Sequence, residues 1–569
     1  MQKGLIDMKS LSLKKKIILS VISGVLFTAA SFYVMLPAIN PLSRGFWLYL
    51  AVVIASFAYP FVFNGSSVKN GEKPKYKKNH IGFEIAFDKV SVKKLPIILV
   101  AVPIAIAIIG GVISSEIFNA RAYADIISVQ EAVFAEDMKE TNEVTNIALM
   151  DGDSARIIGN RTLGSLSEVV SQYEIGATYT QINYKRTPQK VANLEYADFF
   201  KWLNNRGRGI PGFVMVDPVN NTADYIELEK PMRYVDSGFF GEDLCRKLRF
   251  DYPTKIFDFI SFEVDDEGNP YYIVSCMKPQ IFPFGGMDVV EAIIFDPCTG
   301  ESEIYAIADV PAWVDAVYSG TLAEQKYNWH GTLAGGFLNS IIGNKDCKQT
   351  TDDFGYIVIE DDVWYFTGVT SVTSDESNIG FIISNARTGE YKYYPVVGAE
   401  EYSAMSAAQG EVQEKGYVAS FPSLINVEGQ ATYIMVLKDA GGLVKLYALV
   451  NVEQYGIVAT GNTQAEAMKA YKELLAQNGV INEEDIDVPK VDTLEETVTV
   501  EDIKTYTVDG NTVFYIEAGE YYYKGALKDL EKLIFVKAGS RYTVEYTVTD
   551  DERIRNIISI SDEITEPIS

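Results

Sequence analysis

The sequence predicts an α+β membrane protein: three N-terminal transmembrane helices, then a large extracytoplasmic region of repeated β-hairpin/helix units, then a small C-terminal all-β domain. Three observations carry this reading. Long uncharged apolar runs lie near the N-terminus, charge is divided sharply between the two ends of the chain, and hairpin-like segments with a Gly turn recur beyond residue 208.

A chain of 569 residues exceeds one ordinary core, so several domains are expected. Residues 1–94 hold 14 Lys or Arg against 4 Asp or Glu, a net charge of +10, whereas residues 95–569 hold 36 against 73, a net charge of −37. The acidic bulk repels phosphate, so no nucleic-acid partner is expected.

The apolar runs at 17–36, 46–63 and 95–114 each match the thickness of the hydrocarbon core, so the lipid bilayer is the expected partner of residues 17–114. Phe46, Trp47 and Tyr49 mark one end of the second run, where an interfacial aromatic belt would lie. Residues 1–16 carry Lys3, Lys9 and Lys14 to Lys16, and the loop 64–94 is rich in Lys, while only Arg44 lies between the first two runs. The positive-inside rule therefore puts the N-terminus and the Lys-rich loop in the cytoplasm. Three crossings then place residues 115–569 outside a cell membrane. Gly24, Gly45, Gly110 and Gly111 permit close packing of these helices, although no GxxxG pair occurs.

Beyond the membrane part, residues 115–207 read as a mixed α/β segment. Within it, 144–176 suggests a strand, a turn at Asp151–Asp153, a second strand and a short helix. Thr187 followed by Pro188 looks like a helix start, with Val191, Leu194, Tyr196, Phe199, Trp202 and Leu203 forming one apolar face through residue 207.

Residues 208–479 read as repeated hairpins. The segments 293-IIFDPCTGESEIYAI-307, 382-IISNARTGEYKYYPV-396 and 435-MVLKDAGGLVKLYAL-449 each contain a β-prone run, a polar turn ending in Gly, and an aromatic residue five positions later: Tyr305, Tyr394 and Tyr447. A fourth such hairpin is expected at 212–228. Helices fall between them, at 399–416 and at 463–479, where Thr463 and Glu466 form a capping-box signature and Gly479 a stop. A Gly-turn hairpin that precedes a helix, as here, resembles modules of the PepSY type. That resemblance implies a non-catalytic extracytoplasmic module.

Residues 480–495 are acidic and read as a linker. The alternating segments of 496–569, punctuated by Gly510, Gly519, Gly525 and Gly539, predict a small barrel or sandwich. Tyr521, Tyr522 and Tyr523 are candidate binding residues there.

The chain holds four cysteines, Cys245, Cys276, Cys298 and Cys347, at spacings that lack a zinc-type pair, and two histidines, His80 and His330. Disulfides or buried thiols are expected, and no metal or cofactor is implied. No GxSxG, HExxH, Walker or dinucleotide fingerprint stands in suitable context. A thiol hydrolase would need Cys298 beside His330. Paired carboxylates from the sets Glu263, Asp265, Asp266 and Glu267, or Asp296, Asp309 and Asp315, could serve an acid-base hydrolase. Solvated turns are the plainer account of those acids.

Cys298 occupies a position held by Arg387 in the second hairpin, so the nucleophile is peculiar to one copy whereas the turn is shared. Trp313, Asp315, Trp329 and His330 are therefore taken as candidate contact residues rather than catalysts. The favoured function is a membrane-anchored, non-enzymatic structural or protein-interaction component of a cell envelope or membrane complex. Its expected partners are other membrane or envelope proteins or further copies of itself. The alternative is an extracytoplasmic hydrolase using carboxylates or a Cys298–His330 pair.

Overall fold

A computed structural model describes residues 13–62, 95–141, 149–351, 353–372, 374–482, 494–508, 511–527, 530–548 and 553–562. The Lys-rich loop 64–94 and residues 483–493 of the acidic linker lie outside them. The chain divides into two compact units, Met1–Asn478 and Gly479–Ser569.

The first unit begins with α1 (Leu13–Met35), α2 (Arg44–Val62) and α3 (Leu95–Ile113), all long and apolar enough to span a bilayer. The ranges agree with the apolar runs to within a few residues. Gly24 lets α1 approach the Phe57 ring of α2, and Ser20 Oγ donates to Phe57 O at 2.5 Å. Helix α4 (Glu116–Ala124) follows almost directly, then β1 (Val129–Glu131) and α5 (Phe134–Asp137).

Four sheets succeed one another, antiparallel throughout except that β1 joins the third sheet in parallel. After α6 (Gly152–Gly164) and α7 (Ser167–Val170), the first sheet contains β2 (Tyr173–Ile175), β3 (Thr180–Tyr184), β4 (Thr187–Tyr196), β5 (Ile210–Asp217) and β6 (Thr222–Met232), with α8 (Phe199–Asn205) between β4 and β5 and α9 (Leu244–Asp251) after it. The second contains β7 (Ile256–Val264), β8 (Pro270–Ile281), β9 (Gly285–Phe295) and β10 (Ser302–Ala306), followed by α10 (Gly320–Leu333).

The third contains β11 (Lys348–Thr350), β12 (Gly355–Ile359), β13 (Asp362–Ser371), β14 (Ser374–Asn385), β15 (Tyr391–Tyr394) and β16 (Gly398–Ala399), followed by α11 (Glu401–Glu411). The fourth contains β17 (Val418–Ala419), β18 (Ser423–Val427), β19 (Gln430–Lys438), β20 (Val444–Asn451) and β21 (Val458–Gly461), followed by α12 (Gln464–Gln477). In the first, third and fourth sheets one edge is built of two short strands on a single partner: β2 and β3 on β4, β11 and β12 on β13, β17 and β18 on β19.

Two expected elements are corrected. Residues 187–196 form strand β4 rather than the start of a helix. Pro188 faces only Asn183 of β3, because pairing with β5 begins at Lys190, so its missing N–H costs no hydrogen bond on that side. Asp151 is not in a turn between strands; its carboxylate accepts from Ser154 N at 2.8 Å and caps α6.

The hairpin alignment is also corrected. Asp217, Asp296 and Asn385 each close the turn between the third and fourth strand levels of their sheets, accepting two backbone N–H groups at 2.7–3.1 Å. Asp439 makes the same kind of turn, but between β19 and β20, one strand earlier. The topological counterpart in the fourth sheet is Asn451, which accepts from Gln454 N at 2.7 Å. The likeness of 435–449 to the other segments thus reflects shared turn chemistry rather than the same place in a sheet.

The sheets pack in pairs. The first and second share one core, in which Phe213 of β5 meets Phe262 of β7 edge-on at 5.7 Å. The third and fourth share another, in which Phe381 meets Tyr433 at 5.8 Å and α11 covers one side. Lys326 of α10 joins the two halves: its ammonium donates to Asp288 of β9 at 2.7 Å and lies over the rings of Tyr318 and Tyr391. The predicted capping box forms in part, since Thr463 Oγ accepts from Glu466 N while Glu466 accepts from Asn462 N.

The second unit is a six-stranded sheet in the order β22 (Leu494–Thr499), β26 (Arg541–Val548), β27 (Ile554–Asp562), β25 (Tyr521–Ala526), β24 (Asn511–Ala518) and β23 (Asp502–Val508), with β25 and β27 parallel. It has its own core around Ile516, Tyr523, Leu533 and Val544.

Phe213→Ala removes the ring that joins the first two sheets, and is expected to lower the stability of the first unit by about 3–5 kcal/mol in chemical denaturation. A loss under about 1 kcal/mol would show that the two sheets do not rely on a common core.

Candidate binding cleft

Three edge strands converge on one cleft. Among the described residues β3 pairs only with β4 and β12 only with β13, while the outer side of β18 meets just an isolated parallel bridge from Glu140. Their free edges, with the segment 137–141, enclose about 280 Å³. Tyr356, Ile357, Leu424 and Ile425 give it apolar walls, and Lys139 and Arg186 stand exposed at its rim. Asn183 N on β3 is held by Asp315 and Asn426 O on β18 accepts from Thr141 N; elsewhere, unpaired strand edges present backbone N–H and C=O groups in register, which is the recognition surface used for an extended peptide.

Two asparagines strengthen that character. Asn183 Nδ2 donates to Asp361 Oδ1 at 3.0 Å and Asn426 Nδ2 donates to Met138 O at 2.8 Å. Both acceptors are incapable of donating, so the amide orientation is fixed and each Oδ1 is turned away from that bond. Both Oδ1 atoms are buried in residues that line the cleft and have no partner among the described residues.

The rim is strained. β3 and β4 are joined by Lys185 and Arg186 at φ 51° and 63°, in the left-handed region that hairpin turns usually assign to Asn-Gly. Two cations held there break a local rule, as residues at functional sites often do.

Behind the wall lies a buried carboxylate pair. Glu263 is fully buried and accepts from Asp315 N at 2.7 Å, Ala316 N at 3.0 Å and Ser261 Oγ at 2.9 Å. Asp315, 2% exposed, accepts from Asn183 N at 2.7 Å. Burial pushes Glu263 up to about 7 against the pull of those donors. Burial, then the neighbouring Glu263 charge, raises Asp315 well above the usual carboxylate range. Burial thus favours the protonated form of both groups, and Asp315 grips a residue of the cleft wall. Glu401, the first residue of α11, repeats the chemistry against the third sheet: it accepts from Gly368 N at 2.6 Å and Thr351 Oγ1 at 3.0 Å, and burial lifts it to about 7.

The structure scatters the contact residues expected from the sequence. Asp315 is an interior group, not a surface contact, because the segment 314–318 is covered on both sides. Trp313 is half-buried against Tyr271, with ring centroids 5.1 Å apart. Trp329 Nε1 donates to Glu116 at 2.8 Å, and His330 Nδ1 donates to Ala124 O at 2.9 Å, so both pin α10 to α4. Cys298 lies in the β9–β10 turn against the first core, with its thiol pushed up to about 12 by burial and Asp296. No hydrogen bond joins it to His330 among the described residues, and all four cysteines are free. Glu263 and Asp315 correct the reading of the acids as solvated turns.

In the second unit, Tyr523 is buried and donates to Glu496 at 3.0 Å, while Arg555 donates to its hydroxyl at 2.7 Å. Arg555 also lies 3.4 Å from the Tyr521 ring centroid. Tyr522, on the other face, sits 5.5 Å from the Lys504 ammonium. Two of the three tyrosines therefore build an internal cation–aromatic cluster. No group of three or more His, Cys, Asp or Glu is arranged for a metal among the described residues.

The residues that line the cleft were missed from sequence, since strand edges 64 or more positions apart meet only in the fold. Asn183, Arg186 and Asn426 carry no motif; the one local sign was a charged two-residue hairpin turn. No protein-family model and no curated protein matches the chain.

Glu263 and Glu401 bind protons more tightly folded than unfolded, so their contribution to stability is greatest below the ordinary carboxylate pKa of about 4.5 and is lost as pH rises toward about 7. In Glu263→Gln, the fall in unfolding midpoint between about pH 5 and about pH 8 is expected to be shallower than in the wild type. An unchanged slope in differential scanning fluorimetry would exclude a proton on this site.

Proposed function

We propose that the protein is a membrane-anchored, non-enzymatic interaction component of a cell envelope or membrane complex, whose extracytoplasmic body receives an extended segment of a partner protein in the three-edge cleft. The observation that carries this reading is the convergence of the free edges of β3, β12 and β18 beside two unpartnered amide oxygens. Such edges supply main-chain hydrogen bonds, and the apolar walls supply side-chain selection. The exposed Lys139, Arg186 and Glu360 in its lining favour a segment that carries charges of both signs. The buried carboxylates lie behind the wall at 0% and 2% exposure, out of reach of a substrate, which weighs against the hydrolase alternative.

The same reading takes the sheets as copies of one internal repeat of four strand levels and a helix, with the edge strand split in the first, third and fourth and single in the second. It also places the N-terminus and residues 64–94 in the cytoplasm and residues 115–569 outside. Two contacts support that placement. The α1–α2 turn meets the body where Ile39 N donates to Pro253 O at 2.7 Å, and the last turn of α3 meets it where Gly110 lies against Pro283 and Phe284. Both lie at the ends of the spans that three crossings put outside.

Protease added to intact cells is expected to remove the region beyond residue 115 and spare the Lys-rich loop; protection of the large region would overturn the topology. For the cleft, a photo-crosslinking amino acid at Ile357 is expected to give a discrete adduct in cells that the same probe at exposed Glu303 does not. Replacing Lys185–Arg186 by Asn-Gly is expected to stabilise the turn by about 1–2 kcal/mol while weakening that adduct. Equal adducts at both positions would remove the case for the cleft.

A further inference from the structure

The end of the body nearest the spanning helices carries large apolar side chains that stay more than half exposed among the described residues. Phe250 of α9 is 53% exposed, and its ring lies 5.6 Å from Phe32 and 6.4 Å from Tyr33, in the last turn of α1. Phe282, at the tip of the β8–β9 hairpin, is 79% exposed, while its neighbours Pro283 and Phe284 pack on Gly110 in the last turn of α3. Each therefore sits level with the outer turn of a spanning helix. Phe118, 68% exposed, lies in the first turn of α4, just beyond the end of α3. Ile342, 79% exposed, follows Phe337, which packs on the small cluster of Ala120, Tyr123 and Ile281 that seats α4 on this hairpin.

Single exposed apolar residues need no explanation, whereas a set gathered at one end does. Exposed rings and aliphatic chains at the height of the outer leaflet match the composition of an interfacial belt, where they leave water for the boundary between headgroups and acyl chains. At roughly 25 cal/mol per Å² of apolar surface, a few such side chains are sufficient to orient a body that is already tethered.

We propose that this rim is seated in the outer leaflet, so that the body is held by the bilayer surface through Phe250, Phe282, Phe118 and Ile342 as well as by its three helices. The proposal rests on the reading of α1–α3 as membrane spans, and its occupant is lipid because the rim is continuous with the lipid-facing surface of those helices. Phe250 extends the outer turn of α1, and Phe282 extends that of α3. The cleft would then stand at a fixed height above the membrane.

The test uses the full chain in lipid nanodiscs, with a genetically encoded fluorescent amino acid placed singly at Phe282, Ile342, Ile104 or Glu303. Nitroxide lipids labelled near the headgroup should quench the probe at positions 282 and 342. Lipids labelled deep in the chain should quench it at 104, in the middle of α3, and neither should affect 303. Quenching at 104 without quenching at 282 and 342 overturns the proposal and leaves the spans intact; the rim would then be free for a protein partner or a second copy. Absence of quenching at 104 overturns the spanning reading and the proposal with it. Since both rim side chains are largely exposed, replacing them leaves the folded core untouched.

Discussion

The Arg249 guanidinium is the point on which the placement of the body depends. It is almost fully buried, and it donates to Leu36 O at 2.9 Å, Lys255 O at 2.6 Å and Tyr252 O at 3.3 Å while lying over the Phe257 ring. One of those carbonyls belongs to the chain as it leaves α1, where Leu36 takes a left-handed φ of 48°; the others terminate α9 and lead into β7. A planar fork with fixed donors can satisfy three carbonyls that converge from two segments, which a lysine cannot do with the same geometry. Arg246 adds a second link, over the Tyr33 ring at 4.2 Å and to Tyr33 O at 3.3 Å. The helical part and the first two sheets thus meet through cations that face backbone oxygens and rings.

That junction bears on the cleft through the second sheet. β7 runs from the Arg249 site at Lys255 to Glu263, and Glu263 holds the backbone of Asp315 and Ala316. Asp315 in turn holds Asn183 in the cleft wall. The steps beyond β7 are hydrogen bonds, buried at Glu263 and partly buried at Asn183, and the carboxylates in the middle are the titratable members. Burial raises both groups, and Asp315 supports β3 on the edge that the cleft presents.

Much of the architecture was legible in the sequence because it is local. The three apolar runs, the β-prone segments with Asx and Gly turns, and the Thr463 cap each depend on residues a few positions apart. Residues 187–196 were misread for a physical reason. Nearly every side chain of β4 is buried, so the strand lacks the alternation that marks one solvated face, and the aromatic residues of the short α8 extended a false helical period backwards. α6 was missed because Gly152, Asp153, Gly159 and Asn160 look like turn residues, although Asp151 caps the helix. The candidate site was scarcely legible. Glu263 looks like any polar residue in a strand, and its burial comes from the 314–318 segment more than fifty positions away.

Residues 129–141 have a consequence for the order in which the protein is made. β1 lies parallel to β15, and Glu140 bridges to Asn426, whose side chain also binds Met138 O across 288 positions of sequence. This segment directly follows the helical anchor and so emerges early, yet its partners are among the last of the four sheets to be synthesised. Until β15 and β18 exist, β1 has no strand to pair with, and the core formed by the third and fourth sheets lacks Phe134 and Met138. Contacts of such long span slow folding and leave strand edges exposed meanwhile. The first two sheets can close from their own residues, whereas the second pair must wait for a segment made long before it.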